Sequence, residues 1–160
     1  MKVYIKPLSS LDYMSVKDIY RGEFCSKGLD FSTLREVWRD RECGFSLGAY
    51  NWQGDLLGFV LVEGNYISRI AVHSDFQSFG IGGKLLKNVL SKAFLEKRSL
   101  HLIPLNWDNP LIKFYCRHGF HSTPSGYMAF HFQGTRRQTK FIKKYQPTIL
   151  ITTHYNATTF

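Results

Sequence analysis

The sequence predicts an α/β chain of the mixed α+β kind, with a mostly antiparallel central sheet and helices on both faces. Strand-like runs such as Tyr66-Ile67-Ser68-Arg69-Ile70-Ala71-Val72 alternate with segments whose apolar residues recur at helical spacing, among them Leu85, Leu86, Val89, Leu90, Ala93 and Phe94. Turn-rich connections at Trp52-Gln53-Gly54-Asp55 and Pro124-Ser125-Gly126 join neighbouring strands as hairpins. With 160 residues, 44% of them hydrophobic and 16% aromatic, the chain is long and apolar enough for one domain with a sizeable core.

Taken in order, residues 2–6 read as a first strand, and Ser10 caps a helix that runs to about Gly22. Gly28 and Asp30 mark a break before a second helix over about residues 32–41. Residues 45–51 and 56–63 form the first hairpin, and residues 66–72 add a central strand. A glycine-rich turn leads into the third helix, and residues 100–105 return as a strand. Asn109 caps a fourth helix with Pro110 as its first residue, and Gly119 ends it at the C′ position. Residues 120–123 and 127–132 make the last hairpin.

The chemistry concentrates at Gln77-Ser78-Phe79-Gly80-Ile81-Gly82-Gly83, where a strand has just ended and an amphipathic helix begins. Glycines lacking Cβ atoms let backbone approach a ligand, and first-turn N–H groups with the helix dipole favour a pyrophosphate. Lys84 adds positive charge to the same end. The spacing matches neither the nucleoside-triphosphate loop nor the dinucleotide fingerprint.

The pattern Gln77-x-x-Gly80-x-Gly82 resembles the acyl-coenzyme A signature of the GNAT N-acetyltransferase family, Gln/Arg-x-x-Gly-x-Gly/Ala. Residues 109–120, from Asn109 through Phe114-Tyr115 to Gly119-Phe120, are similar to the family's later Asn, Phe-Tyr and Gly-Phe block. Three departures stand out: Ser78-Phe79 within the signature, Leu111 where alanine is usual, and Asn109 one residue nearer the tyrosine than the common spacing, so that Asn106 is an alternative for the asparagine role. The resemblance implies a GNAT-type acyl-CoA N-acyltransferase fold over residues 1–132 and acetyl-CoA as donor, with no metal. By the same resemblance Gln77, Ser78, Phe79, Gly80, Ile81, Gly82, Gly83 and Lys84 bind the cofactor, with its pyrophosphate on the amides of Phe79 to Lys84. The pantetheine arm lies against the backbone of Ile70, Ala71 and Val72, between the strand before the signature and the strand after the helix, and the thioester carbonyl is near Val72. Asn106 or Asn109, with Tyr115, completes the cofactor set.

Direct attack by an amine on a thioester needs positioning, removal of the amine proton and protonation of the leaving thiolate. The resemblance gives the last role to Tyr115; the bland reading makes Tyr115 a core residue, since Leu111, Phe114, Tyr115 and His118 share one helix face. For the base, Glu63, Tyr66, His73 and His101 compete. Tyr66-Ile67 and Leu100-His101 resemble the Tyr-Ile and Leu-His pairs of N-terminal peptide acetyltransferases, whose tyrosine and histidine relay a proton through water. Histidine is a residue type suited to proton transfer at neutral pH, although a lone histidine in a strand, such as His101, is more often a packed, hydrogen-bonded residue. His73 belongs at the turn beside Asp75. Where those peptide enzymes carry an aromatic and proline loop, this chain has residues 24–31, so the acceptor, a small-molecule amine or a peptide or protein amine, stays open. Glu23, Asp30 and Glu63 are the acids that would suit a polyamine.

Charge is uneven: residues 133–160 hold Arg136, Arg137, Lys140, Lys143 and Lys144 and no acid, which is five of the nine net positive charges. This basic tail reads as a solvated terminus, with strand addition through residues 148–152 or binding to a nucleic acid as alternatives. Cys25, Cys43 and Cys116 show neither a disulfide framework nor zinc spacing, and no apolar run is long enough for a bilayer. A cytoplasmic enzyme, monomer or homodimer, with no membrane partner is the expectation. The alternatives are an acetyl-CoA sensor without turnover and a transferase acting on aminoacyl-tRNA, to whose strand Arg69-Ile70-Ala71-Val72 is similar.

Overall fold

Continuous runs of buried residues, at 47–50 and 57–62, build the sheet of the structure, a computed structural model in which residues 1–29, 31–105 and 107–132 are described. The chain divides into two compact units, Met1–Val89 and Leu90–Phe160. Asp30, Asn106 and the basic tail lie outside the described residues.

In the first unit, strands β1 (Tyr4–Pro7), β2 (Leu47–Tyr50), β3 (Leu56–Glu63) and β4 (Tyr66–Val72) pair antiparallel in chain order. Helices α1 (Tyr13–Glu23) and α2 (Phe31–Asp40) cover one face. Their Val16, Ile19, Tyr20, Leu34 and Val37 share a buried cluster with Phe59, Leu61 and Ala71. Burial of that apolar surface, at about 25 cal/mol per Å², is what holds amphipathic helices of this length in place.

Helix α1 begins later than the sequence suggested. A 3-10 turn at Ser10–Asp12 precedes it, and Ser9 rather than Ser10 makes the capping contacts, its backbone N–H and hydroxyl donating to the Asp12 carboxylate at 2.7 and 2.9 Å. The β2–β3 turn is closed by Asn51, whose side-chain oxygen accepts from the N–H groups of Gln53 and Asp55, both at 2.9 Å.

β4 carries one residue too many for its partner. Leu61 faces Arg69 while Val62 faces Ile67, which leaves Ser68 as a bulge. The buried Ser68 hydroxyl donates to the Leu61 carbonyl at 3.1 Å, so the local irregularity keeps its hydrogen bonding. Side-chain direction alternates along a strand, so the extra residue changes which face the remainder of β4 presents. Tyr66, Arg69 and Ala71 therefore share the face of Phe59, Leu61 and Glu63, their cross-strand partners.

Helix α3 (Ile81–Leu95) runs across the division between the units. In the second unit, β5 (Leu100–Leu102), β7 (Met128–Phe130) and β6 (His121–Ser122) pair antiparallel, with β7 in the middle. β5 is three residues long rather than six. Pro104 has no N–H to give a ladder and restricts Ile103 before it.

Helix α4 (Asn109–Arg117) corrects the expected cap by one residue. Asp108 is the N-cap, its carboxylate accepting from the Leu111 N–H at 2.9 Å, and Asn109 is already helical. A carboxylate at that end also meets the positive pole of the helix. The other end is as expected: Gly119 takes φ +92°, its N–H donates to the Cys116 carbonyl at 3.1 Å, and the Phe120 N–H donates to the Tyr115 carbonyl at 3.2 Å. The rings of Tyr115 and Phe120, 5.8 Å apart, supply the apolar contact that accompanies such a cap.

Candidate functional site

The end of β4 and the loop after it form one hydrogen-bonded unit. The His73 N–H donates to the Leu57 carbonyl at 2.9 Å, and a 3-10 turn follows at Ser74–Phe76, with the Asp75 N–H donating to His73 Nδ1 at 3.2 Å. His73 thus sits beside Asp75, as expected. Gln77 is extended, and Ser78 and Gly80 then adopt left-handed backbone, φ +68° and +74°. At Gly80 that conformation is easy; at Ser78 it stores strain of the sort found where a loop is shaped for a ligand.

Ile81, 1% exposed, anchors the first turn of α3 in the core. The Lys84 N–H makes the helix's first bond, to the Gly80 carbonyl at 3.0 Å. The N–H groups of residues 79–83 have no acceptor among the described residues, as expected of a helix start. Space beside Gly80 is open, and Lys84 is exposed next to it. Anion-binding chemistry fits this arrangement: donors without acceptors among the described residues lie at a positive helix pole, with open space at Gly80.

Gln77, the first residue of the signature, braces the loop. Its amide Nε2 donates to the Val72 carbonyl at 3.1 Å and to the Glu23 carboxylate, at the end of α1, at 2.9 Å. Glu23 is therefore engaged by the loop instead of standing free for a cationic acceptor.

Along β4, Ala71 commits its side chain to the core, 8% exposed, and offers only backbone to a ligand. Ile70 and Val72 are half-buried and point from the opposite face. Gly58 on β3 is opposite Val72, and a Cβ there would meet the Ala71 carbonyl oxygen at 2.8 Å. Sequence reasoning missed this residue, although a glycine inside an apolar strand signals close backbone approach.

Glu63 and Tyr66 are direct cross-strand partners across the Gly64-Asn65 turn. Burial, reinforced by the negative charge of Asp40 and opposed by Arg69, raises the Glu63 carboxyl above its usual range. That moves it toward the range of a general base.

In the second unit, His101 pairs with Ala129 on β5 and β7, its ring edge-on to Tyr127 at 5.7 Å. Asn109 opens α4, and Asn106 is outside the described residues. Tyr115 is 5% exposed, with the rings of Phe114 and Phe120 at 5.2 and 5.8 Å. His118 is also buried, its Nδ1 bonded to the Phe114 carbonyl at 2.8 Å, which fixes α4's inner face. Among the described residues no cluster of three or more metal-binding side chains occurs, and no helix is long and apolar enough to cross a membrane.

The model of the family described as acetyltransferase (GNAT) domain matches residues 18–136. Among similar solved structures is the ribosomal-protein-S18-alanine N-acetyltransferase from Escherichia coli, 18% identical, with a TM-score of 0.67 over 84% of this chain and 96% of that one. Arabidopsis thaliana Naa50, in complex with a bisubstrate analogue containing CoA, is 19% identical, with a TM-score of 0.63 over 81% of this chain and 96% of that one. A GNAT family acetyltransferase from Brucella melitensis in complex with acetyl-CoA is 18% identical, with a TM-score of 0.62 over 83% and 90% of the two chains.

Proposed function

The chain belongs to the GNAT acetyltransferase family, and from that premise we propose that it moves an acetyl group from acetyl-CoA to a primary amine by direct attack within a ternary complex. The observation that carries this reading is the loop between β4 and α3, where the amides of residues 79–83 lack acceptors, Gly80 keeps its surroundings open and Lys84 adds charge. Those groups hold the pyrophosphate, and the backbone of Ile70 to Val72 receives the pantetheine arm.

An N–H of that strand polarises the thioester carbonyl as negative charge develops on its oxygen. The amine nitrogen bonds to the carbonyl carbon, the carbon–sulfur bond breaks, and the thiolate takes a proton from the Tyr115 hydroxyl. The amine proton leaves to a base for which Glu63 and Tyr66, paired across β3 and β4, are candidates in the first unit and His101 in the second. Glu63 is supported by its carboxyl, which burial raises in the direction of a general base.

Acetyl-CoA consumption measured over polyamines, aminoglycosides, peptides with free N-termini and aminoacyl-tRNA tests the proposal. Turnover with one class is expected, and Tyr115→Phe should lower it about 10²- to 10⁴-fold with the melting temperature kept. Tight cofactor binding without turnover of any amine would overturn the enzyme reading in favour of a sensor. A Tyr115→Phe variant as fast as the parent would return Tyr115 to the core.

A further inference from the structure

We propose that Arg41 and Arg69 form a carboxylate-binding wall beside the Glu63–Tyr66 pair and select acceptors that carry a carboxylate close to the reacting amine. The inference rests on the amine acetylation proposed above and names its substrate class.

The two arginines reach the same end and face of the β3–β4 hairpin by different routes. Arg69 stands opposite Leu61, on the face that the Ser68 bulge gives to Tyr66, Glu63 and the helix-covered core. Arg41 follows α2, one residue before Glu42, whose N–H donates to the carbonyl of Val62 at 2.7 Å. Its guanidinium lies 3.8 Å from the centre of the Trp38 ring, and Trp38 packs against that same core.

Each guanidinium is tethered by one bond and otherwise under-used. Arg41 Nη1 donates to the Trp38 carbonyl and Arg69 Nη1 to the Ser68 carbonyl, both at 2.6 Å. The Nε atom of each is buried without a hydrogen-bond partner among the described residues. Five donors on a planar cation call for more acceptors than one backbone carbonyl supplies. A carboxylate is the acceptor whose geometry matches that fork.

Asp40 and Glu63 do not satisfy this demand. Asp40 is held by Arg39 through two bonds, at 2.7 and 3.0 Å. Glu63 interacts with Arg69 only through space, and burial pushes it toward its neutral form. An amine delivered to Glu63 or Tyr66 would therefore have two incompletely paired cations alongside it. A plain polyamine is repelled there, whereas a negative group one or two bonds from the amine is held. That carboxylate can come from the acidic residue of a peptide or from a free amino acid.

The test compares acetyl-CoA turnover by the full chain on peptides that differ only in aspartate against asparagine beside the N-terminal amine, and on free glutamate against its amides. The acidic member should be preferred by about 10- to 100-fold in kcat/KM, and Arg69→Gln or Arg41→Gln should erase the preference, with Arg69→Lys restoring part of it. Preference for the peptide arm or for the free amino acid decides the source of the carboxylate. Equal use of the paired substrates, or a preference for the neutral member, overturns the inference while leaving amine acetylation intact. Calorimetry of the CoA-loaded protein with the acidic peptide separates the opposite failure, because arginine-dependent binding without turnover keeps the wall and removes the acetylation reading. If a glutamine variant fails to fold, the substrate preference of the unaltered chain still decides the matter.

Discussion

Replacing Gly58 by alanine puts a methyl group into the tightest point of the β3–β4 contact. Its Cβ would meet the Ala71 carbonyl oxygen at 2.8 Å and both Cα and Cγ2 of Val72 at 3.2 Å. Ordinary contact begins at 3.4 Å, so the end of β4 must withdraw by about 0.6 Å. Overpacking of this kind costs about 1–3 kcal/mol. Alanine's smaller unfolded-state entropy returns about 0.4–1 kcal/mol, so the midpoints leave a net loss of about 1.3 kcal/mol and a Tm lower by about 3–5 °C for a chain of this size. The same movement displaces the carbonyl of Val72 from the Gln77 amide, so acetyl-CoA should bind more weakly than the stability loss alone explains. Thermal unfolding by circular dichroism, with and without acetyl-CoA, and calorimetric Kd values measure both effects. Gly22→Ala is the control with the opposite sign: it sits in α1 with nothing within 4 Å of an added Cβ and should gain about 0.5–1 kcal/mol. A Gly58→Ala protein with the parent's Tm and affinity would refute the role given to this contact.

Gly82→Val should sharply weaken acetyl-CoA binding while the circular dichroism spectrum keeps its shape, because a branched side chain blocks backbone approach at the first turn of α3; unchanged affinity by calorimetry would sink the pyrophosphate assignment. Glu63 has a folded pKa above its unfolded one, so the folded state holds the proton longer and stability falls as pH rises from the unfolded toward the folded value. Glu63→Gln should remove that loss and leave the protein at least as stable as the parent at pH 7, while a base role predicts slower turnover; chemical denaturation against pH with parallel rates checks both signs. Truncation after Gln133 should preserve Tm, cofactor affinity and small-amine turnover if the tail is a solvated appendage. Collapse of the melting temperature would point instead to strand addition, and selective loss of salt-sensitive tRNA binding to polyanion recruitment.

β4 was legible to the residue because a β-branched and aromatic run is bounded there by Gly64-Asn65 on one side and a glycine-rich turn on the other. The loop and the start of α3 followed from the same punctuation. The N-cap of α4 was one residue out because Asp108 and Asn109 are both good caps and Pro110 is compatible with either first-turn position. The Ser68 bulge left no trace in the sequence, since Ile67-Ser68-Arg69 contains no glycine and the extra residue is defined only by what β3 places opposite. Without the bulge, strict alternation puts Tyr66 and Arg69 on different faces, so the sequence hides that both share a face with Glu63. Gln77 was found as a signature residue, yet its hydrogen bond to Glu23 joins positions 54 apart and no local pattern encodes it.

That bond makes the end of α1 and the start of the cofactor loop a thermodynamic pair. A carboxylate at the last turn of a helix is disfavoured by the helix dipole, so Glu23 depends on the Gln77 amide for compensation. A ligand on the loop and a ligand at residues 24–29 that both strengthen or loosen the bond are coupled through it, each changing the other's binding by the same free energy. An exposed hydrogen bond to a charged group limits this coupling to about 1.4 kcal/mol, or a factor of about 10. Glu23→Ala should therefore shift the donor's effect on acceptor affinity and the acceptor's effect on donor affinity by one common factor. A coupling factor that Glu23→Ala leaves unchanged, measured by calorimetry, would show that the two binding events do not communicate through this bond.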